Sequence, residues 1–523
     1  MKDGGLMTNF ANALPHRLYR AAQIQQLDRV VIEEFNIPGF RLMQTAGAAA
    51  FNALLEQWPR AKRLLVFTGA GKNGGDGYIV AGLAKDFGMM VEIIQVGERA
   101  KCTGDAKQAL EWAEKQHVTM TSFADFQQQE SVDYSHTIMV DALLGTGLNR
   151  EVTGEYKLAI ERINNAGYPV LAIDIPSGLN ADTGRAMGAA VNADLTVTFI
   201  GLKQGLLTGQ GRDFVGILIF NDLDVPDEVY SHESSPSPTA QRIDINYASK
   251  FLAPRLHSSH KGDYGHVVIV GGNYGYGGAA LMAAEAAQRS GAGLVSVLTR
   301  SAHRPAFLGK LPEIMMFGTE DEDASVDELL ARASVIVIGP GLGRSEWSRT
   351  LLQLALSKQV SVGTPLVVDA DGLNLLSERS ESKAAIKRDN WILTPHVGEA
   401  ARLLGSTVAD VHADRFAAVT ELYNRWGGCC LLKGSGSLIA APNEELFLCT
   451  EGNAGMASGG MGDVLSGIIA GLIAQKLTLP QSLCCAVCIH GEAADLAMEA
   501  GGQRGMIATD LSRHIRQLVN PTH

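Results

Sequence analysis

With 523 residues, 46% of them hydrophobic and 19% charged, the chain is neither disordered nor small enough for one hydrophobic core. Its formal charge of −12, from 56 acidic and 44 basic residues without long like-charge runs, excludes a basic footprint for nucleic acid or anionic lipid and points to small-molecule ligands. No stretch reaches the roughly 18 uninterrupted apolar residues of a membrane span, and the start, Met1 to Pro15, lacks a basic then apolar targeting pattern. A cytoplasmic protein, associating as a homo-oligomer, is expected.

Tyr19 to Trp58 reads as helical, with a break at Ile37-Pro38-Gly39. From Arg63 apolar, β-rich runs alternate with helical patterns: RLLVFTGAG, a helix from about Tyr78, VEIIQVG, a helix near Ala106, TIMVDALLGTG, a helix near Tyr156, then PVLAIDIPSG, TVTFIGLK and GILIFNDL. Runs apolar on both faces and separated by helices predict a parallel sheet covered on both sides, a Rossmann-like three-layer sandwich over residues 1–225. The next stretch, DVPDEVYSHESSPSPTAQ, is polar, holds three prolines and shows no apolar period, so residues 226–241 are expected to be a linker. A second α/β series fills 242–523: HVVIVGG, a helix over Ala279–Arg289, LVSVLT, SVIVIGPG, PLVVDADG and WILTPH. A meander of CCLLKG, SLIAAP and LFLCT and helices over Gly462–Gln475 and Gln481–Met498 follow. The seven cysteines form no disulfide framework, and Cys485-x-x-Cys488 lies in an apolar helical run that reads as core packing.

In the first half, Gly69-Ala-Gly-Lys-Asn-Gly-Gly-Asp-Gly77 satisfies GxGxxG, a weak dinucleotide signal because the only candidate ribose-binding acid, Glu92, starts its strand rather than ending it. A redox dehydrogenase is the poorer reading, and no GxxxxGK[ST] supports a P-loop nucleotidase. Asp141 with Gly145-Thr-Gly147 and Asp174 with Ser177 end later strands, and the carboxyl ends of a parallel sheet face one crevice. Asn73, Asp141 and Ser177 together offer oxygens that suit a hard cation, while loop capping is the plain alternative for each.

In the second half, NAGMASGGMGDVLSG (Asn453–Gly467) runs a glycine-rich loop into an apolar helix. Its amides and helix N-terminus suit phosphate. Asp463, on the first turn, is placed to take a proton from a hydroxyl during phosphoryl transfer, or merely to cap the helix. HKGDYGHVVIVGGNYGYGGAALMAAEAAQRSGAGLV, GPGLG, DADGLNLL, LTPHVGEAARLL and LKGSG precede it in order.

This second set resembles the NAD(P)H-hydrate dehydratase branch of the ribokinase-like superfamily over essentially all of 243–523. The resemblance implies that Lys433, Gly434, Ser435, Gly436 and Ser437, with Asn453, Gly455, Met456, Gly459, Gly460, Met461 and Gly462, hold an adenine nucleotide, ADP as co-substrate. Ala279, Gly343 and His396 would contact the hydrated dinucleotide, Asp463 would be the base, and Glu399 would organise Mg²⁺ through water. Val397 and Ala454 stand where the family commonly has proline.

The first set, GAGKNGGDG, DALLGTG and DIPSG, resembles the NAD(P)H-hydrate epimerase domain of the YjeF family over about 16–225. By that resemblance Lys72, Asn73, Gly74, Gly75 and Asp76, with Gly145, Thr146, Gly147, Leu148, Asn149, Arg150 and Glu151, bind the dinucleotide. Asn73, Asp141 and Ser177 would bind K⁺, Asp174 would contact the reacting ring, and Lys72 replaces the usual asparagine. The fused whole is similar to bifunctional repair enzymes acting on hydrated NADH and NADPH. A sugar or vitamin kinase with a dinucleotide-sensing N-terminal domain, and a sensor without turnover, are the rival readings.

Overall fold

The computed structural model describes residues 14–128, 135–321, 325–380 and 387–521, so most of the stretch searched for a targeting signal lies outside it. The chain divides into two compact units, Met1–Gln241 and Arg242–His523.

In the first unit the strands are β1 (Arg17–Tyr19), β2 (Arg63–Thr68), β3 (Met90–Gln95), β4 (Thr119–Ser122), β5 (Thr137–Ala142), β6 (Val170–Ile173), β7 (Leu195–Phe199), β8 (Leu202–Lys203) and β9 (Ile217–Asn221), and β10 (Ala240–Ile243) spans the boundary between the units. Seven of them form one sheet in the order β4-β3-β2-β5-β6-β7-β9, parallel throughout. Along β2, Leu64 and Val66 join the core under the helices Ala21–Glu33, Gly39–Gln57, Lys72–Asp86 and Gly104–Lys115, whereas Leu65 and Phe67 join the core under Gly154–Asn164. The alternation of side chains along a strand therefore feeds two apolar layers, and the expected three-layer sandwich is what forms. Chain order reverses between β2 and β5, which makes their carboxyl ends the switch point where ligands bind in open α/β sheets.

The helix expected from Tyr78 starts six residues earlier, at Lys72. Its glycines conceal the start from an apolar pattern, yet close packing demands them: a Cβ at Gly74 would sit 2.0 Å from the Gly69 carbonyl oxygen. Residues 226–241, expected as a linker, carry a 3-10 turn, Asp227–Ser231, and lie on the first unit. Val229 is buried, the Tyr230 hydroxyl donates to Ile200 O at 2.6 Å, and Gln23 and Gln26 donate to Ser237 O and Ser234 O. The apolar Val229 and Tyr230 supply what a composition-based reading of that polar stretch passes over.

The second unit holds β11 (His266–Val270), β12 (Leu294–Thr299), β13 (Met315–Gly318), β14 (Val335–Ile338), β15 (Leu366–Val368), β16 (Trp391–Leu393), β17 (Cys429–Leu432), β18 (Ser437–Ala440) and β19 (Leu446–Cys449). They run β13-β12-β11-β14-β15-β16-β17-β18-β19. The strands from β13 to β17 are parallel and the last two turn antiparallel, the meander the sequence predicts. Helices Gly277–Arg289, Met461–Ala474 and Leu479–Gly501 cover one face and share its core. All seven cysteines are free and buried, and no described helix is long and apolar enough to cross a membrane.

Candidate active sites of the two units

In the first unit a cavity of about 700 Å³ opens at the switch point, lined by Lys72, Asn73 and Asp76 of one helix, the loop Leu143–Arg150, Asp174, Phe199 and Lys203. Gly71 caps the helix Lys72–Asp86 in extended backbone, so its unpaired N–H groups and positive end face the cavity. Gly74 and Gly75 pack behind this wall, and Glu151 lies outside the lining, paired with Arg185 at 3.1 Å. Lys72 is exposed and places its ammonium 3.6 Å from Asp28.

Asn73, Asp141 and Ser177 come together beside this cavity. The Ser177 hydroxyl lies 2.6 Å from Asp141 Oδ1, and the Ser177 N–H donates to Oδ2 at 2.7 Å. Leu144 N–H donates to Ser177 Oγ at 2.8 Å, and Asn73 Nδ2 donates to Leu144 O at 3.1 Å. Asn73 Oδ1 is buried without a partner. Burial raises the Asp141 carboxyl to about 6, although the Ser177 and Leu143 donors favour its ionised form. An orphaned amide oxygen, a carbonyl, a hydroxyl and a buried carboxylate lacking a positive partner among these contacts form an oxygen-only donor set, which fits a hard cation.

Asp174 follows β6 with a φ of +65°, a strained conformation for a non-glycine residue. Its carboxylate pairs with the ammonium of Lys203, which is 1% exposed and also donates to Thr198 Oγ1 and Phe199 O, each at 3.0 Å. Sequence reasoning missed Lys203; its only signal was a lysine closing the apolar run TVTFIGLK. It missed Asp28 as well. Burial raises the Asp76 carboxyl well above its usual range, and the neighbouring Asp174 and Asp28 charges push in the same direction.

In the second unit the carboxyl ends of β14 to β17 present their side chains to the start of the helix Met461–Ala474. Asp369 follows β15, and Ala370 beside it has a φ of +45°. Lys433, following β17, sets its ammonium 2.7 Å from Asp369 Oδ1, while Ser466 of the helix donates to Asp369 Oδ2 at 2.8 Å. Asp463 sits one turn before Ser466. Burial raises its carboxyl to about 7, Asp369 adds to the rise, Lys433 opposes it, and Asp371 and Glu399 raise it further. The helix begins at Gly460, whose φ of +92° an L side chain rarely adopts.

His396 caps the helix Val397–Leu404: its Nδ1 accepts from Gly398 N–H at 3.0 Å, and Glu399 Oε2 accepts from His396 N–H at 2.8 Å. The pair thus forms a polar helix start, and Glu399 nonetheless faces the charged cluster. Burial raises Glu399 to about 7, with Lys433 opposing and Asp369 reinforcing. Among the described residues these carboxylates do not close on one point as ligands of a single ion, so a bound cation would complete its shell with phosphate and water oxygens. Gly343 donates to Asp371 Oδ2 at 2.9 Å, and Ala279 stands at the start of the helix Gly277–Arg289.

Of the expected nucleotide loop, Gly434 and Ser435 are exposed. Arg415, buried beneath it and missed from sequence, donates to Gly436 O at 3.1 Å. Ser437 Oγ donates to Gly434 O. Asn453 spends its side chain on Asp495, Ala494 O and Gly455 N–H, so it shapes the glycine-rich loop. Met461 is buried in the core and offers the loop only backbone, while Met456 is half-buried and Gly459 exposed.

Comparison with known proteins agrees with this division. The NAD(P)H-hydrate dehydratase family profile matches residues 267–517, and that of the YjeF-related protein N-terminus matches 39–205. The bifunctional NAD(P)H-hydrate repair enzyme of Coxiella burnetii is 44% identical over 504 residues, spanning 96% of this chain and 99% of the relative. That of Escherichia coli is 43% identical over 511 residues, spanning 97% and 95%. Both relatives run through both units, which sets aside the kinase with a sensing domain and the sensor without turnover. The chain belongs to the family of bifunctional NAD(P)H-hydrate repair enzymes.

Proposed function

We propose that the first unit interconverts the R and S hydrates of NADH and NADPH and that the second dehydrates the S epimer at the expense of ADP, giving AMP and phosphate. The observation that carries the second step is Asp463, at a helix N-terminus beside the Lys433–Asp369 pair, with its carboxyl raised to about 7. A base with that affinity can accept a proton near neutral pH and release it again.

The hydrate carries a hydroxyl at C6 of the nicotinamide ring, a poor leaving group. Asp463 takes the hydroxyl proton as the oxygen attacks the terminal phosphorus of ADP. The loop amides of Gly459 to Gly462 and the helix N-terminus hold the phosphoryl group, and Lys433 balances the surrounding carboxylates. The ring nitrogen's lone pair then expels phosphate from C6, and loss of a C5 proton restores the double bond. Glu399, with Asp369 and Asp371 nearby, fits a Mg²⁺ ion bound through water, which would neutralise phosphate charge.

In the first unit, Asp174 moves the proton at the C6 oxygen while the hydroxyl leaves and water returns to the other face of the ring. The ammonium of Lys203 aims that carboxyl group. Asn73, Asp141, Ser177 and the Leu144 carbonyl fit K⁺, whose charge would steady the loop that binds the dinucleotide. An epimerase on the same chain makes both epimers usable by a dehydratase with a chiral pocket. Separately purified R and S hydrates, incubated with the chain and no nucleotide, ADP or ATP, test this reading. Interconversion without nucleotide, and NADH appearing only with nucleotide, are expected; a stable phosphorylated product would contradict it.

A further inference from the structure

β19 ends at Cys449, and two residues later Glu451 precedes the glycine-rich loop. Cys488 faces them from the helix Leu479–Gly501. One ligand atom from each of the three, two sulfurs and a carboxylate oxygen, lie within 4.8 Å of one another, the only such trio of His, Cys, Asp and Glu among the described residues. Both sulfurs belong to free cysteines that are 1% and 0% exposed. Glu451 Oε1 accepts from Ile245 N–H at 2.6 Å, whereas Oε2 is buried with no partner at all. A buried carboxyl oxygen left in this way carries its desolvation cost uncompensated, and nothing in the proposed chemistry of either unit uses it.

The CxxC spacing is not the source of this arrangement. Cys485, one turn earlier on the same helix, turns its sulfur to Ala248 O at 3.7 Å and takes no part in the trio. Cys488 meets a cysteine from a strand and an acid from the turn after it, a pairing that no local motif announces.

We infer that Cys449, Glu451 and Cys488 form a binding site for a thiophilic divalent ion of the zinc class. Tetrahedral zinc with bonds of about 2.3 Å to sulfur holds two sulfurs about 3.8 Å apart, so the trio needs to close by no more than about an ångström. Sulfur donors discriminate against Mg²⁺ and K⁺, which take oxygen, and the site is therefore chemically distinct from those proposed for catalysis. Three protein ligands leave a fourth position for water.

Proton balance fixes the pH dependence. The ion takes cysteine as thiolate, so its binding displaces thiol protons and affinity climbs as pH rises. Once bound, the ion ties the end of β19 to the helix Leu479–Gly501 and satisfies Glu451 Oε2.

The test uses the full chain, reduced and stripped with chelator, titrated with Co²⁺ as a spectroscopic substitute for Zn²⁺. One equivalent is expected to give thiolate-to-cobalt charge-transfer absorption in the near-ultraviolet with the visible bands of a tetrahedral ion, both bleached by Zn²⁺, and to raise the melting temperature. Cys449→Ala and Cys488→Ala each abolish the absorption, and Cys485→Ala keeps it. Should either alanine variant fail to fold, Glu451→Gln retains the packing and is expected to weaken Zn²⁺ binding at least about tenfold. The inference is overturned by a wild-type chain without charge-transfer absorption at one equivalent, by absorption that survives Cys488→Ala, or by Zn²⁺ affinity unchanged in Glu451→Gln.

Discussion

The Lys433 ammonium stands 2.7 Å from Asp369 Oδ1, joining the strand that leads into the LKGSG loop to the strand that ends in DADG. Burial alone would raise the Asp369 carboxyl, yet the charge and hydrogen bond of Lys433 hold it below its usual range. The pair is buried enough that losing one partner strands the other. Lys433→Met is expected to cost about 3–5 kcal/mol of stability in denaturant unfolding at neutral pH. A carboxylate with a lowered folded-state pKa stabilises above its unfolded value and loses that contribution as pH falls. The deficit of the mutant should therefore shrink below about pH 4, and Asp369→Asn combined with Lys433→Met should recover part of it at pH 7.

The raised carboxyl of Asp463 sets a pH profile. Because the base works only when ionised, kcat/KM for dehydration of the S epimer should rise with pH and level off above about 7. Removing a negative neighbour eases ionisation, so Glu399→Gln should move the midpoint to lower pH. A midpoint left in place by this change would detach Asp463 from the profile.

In the first unit, Asn73→Ala removes the buried, unpartnered Oδ1 together with the Nδ2 hydrogen bond to Leu144 O, so only a small loss of stability, about 1 kcal/mol, is expected. Epimerisation in the same variant should lose its response to added K⁺, with dehydration of the S epimer intact. An unaltered K⁺ titration would remove Asn73 from the ligand set.

Lys203→Met leaves Asp174 without its ammonium. Conversion of the R to the S hydrate should fall by about 10² or more, while dinucleotide affinity, measured by binding, changes far less. Equal losses in affinity and turnover would make Lys203 a binding residue instead of a positioning one.

What the sequence disclosed followed from local rules. Apolar runs placed most of the sheet strands, and the turns GAGKNGGDG, DALLGTG, DIPSG and GGMGD put Asn73, Asp141, Asp174, Ser177 and Asp463 at the ends of strands or starts of helices. Lys203, Asp369 as the partner of Lys433, and Arg415 stayed hidden because their roles come from pairing across strands distant in sequence. The short strands Arg17–Tyr19, Thr119–Ser122 and Met315–Gly318 escaped for a related reason. They hold only three or four residues each, partly exposed, too few for a period to register.

The account rests most directly on Asp463 as the base of the second unit, and Asp463→Asn with purified S-hydrated NADH at saturating ADP tests it. Asparagine keeps the size and can still hydrogen-bond the substrate hydroxyl, but it cannot take the hydroxyl proton. The account predicts that NADH absorbance appears about 10² to 10⁴ times more slowly, with nucleotide affinity, melting temperature and epimerisation close to those of the unmodified chain. Turnover near the normal rate in this folded variant would show that Asp463 is not the base and would contradict the mechanism.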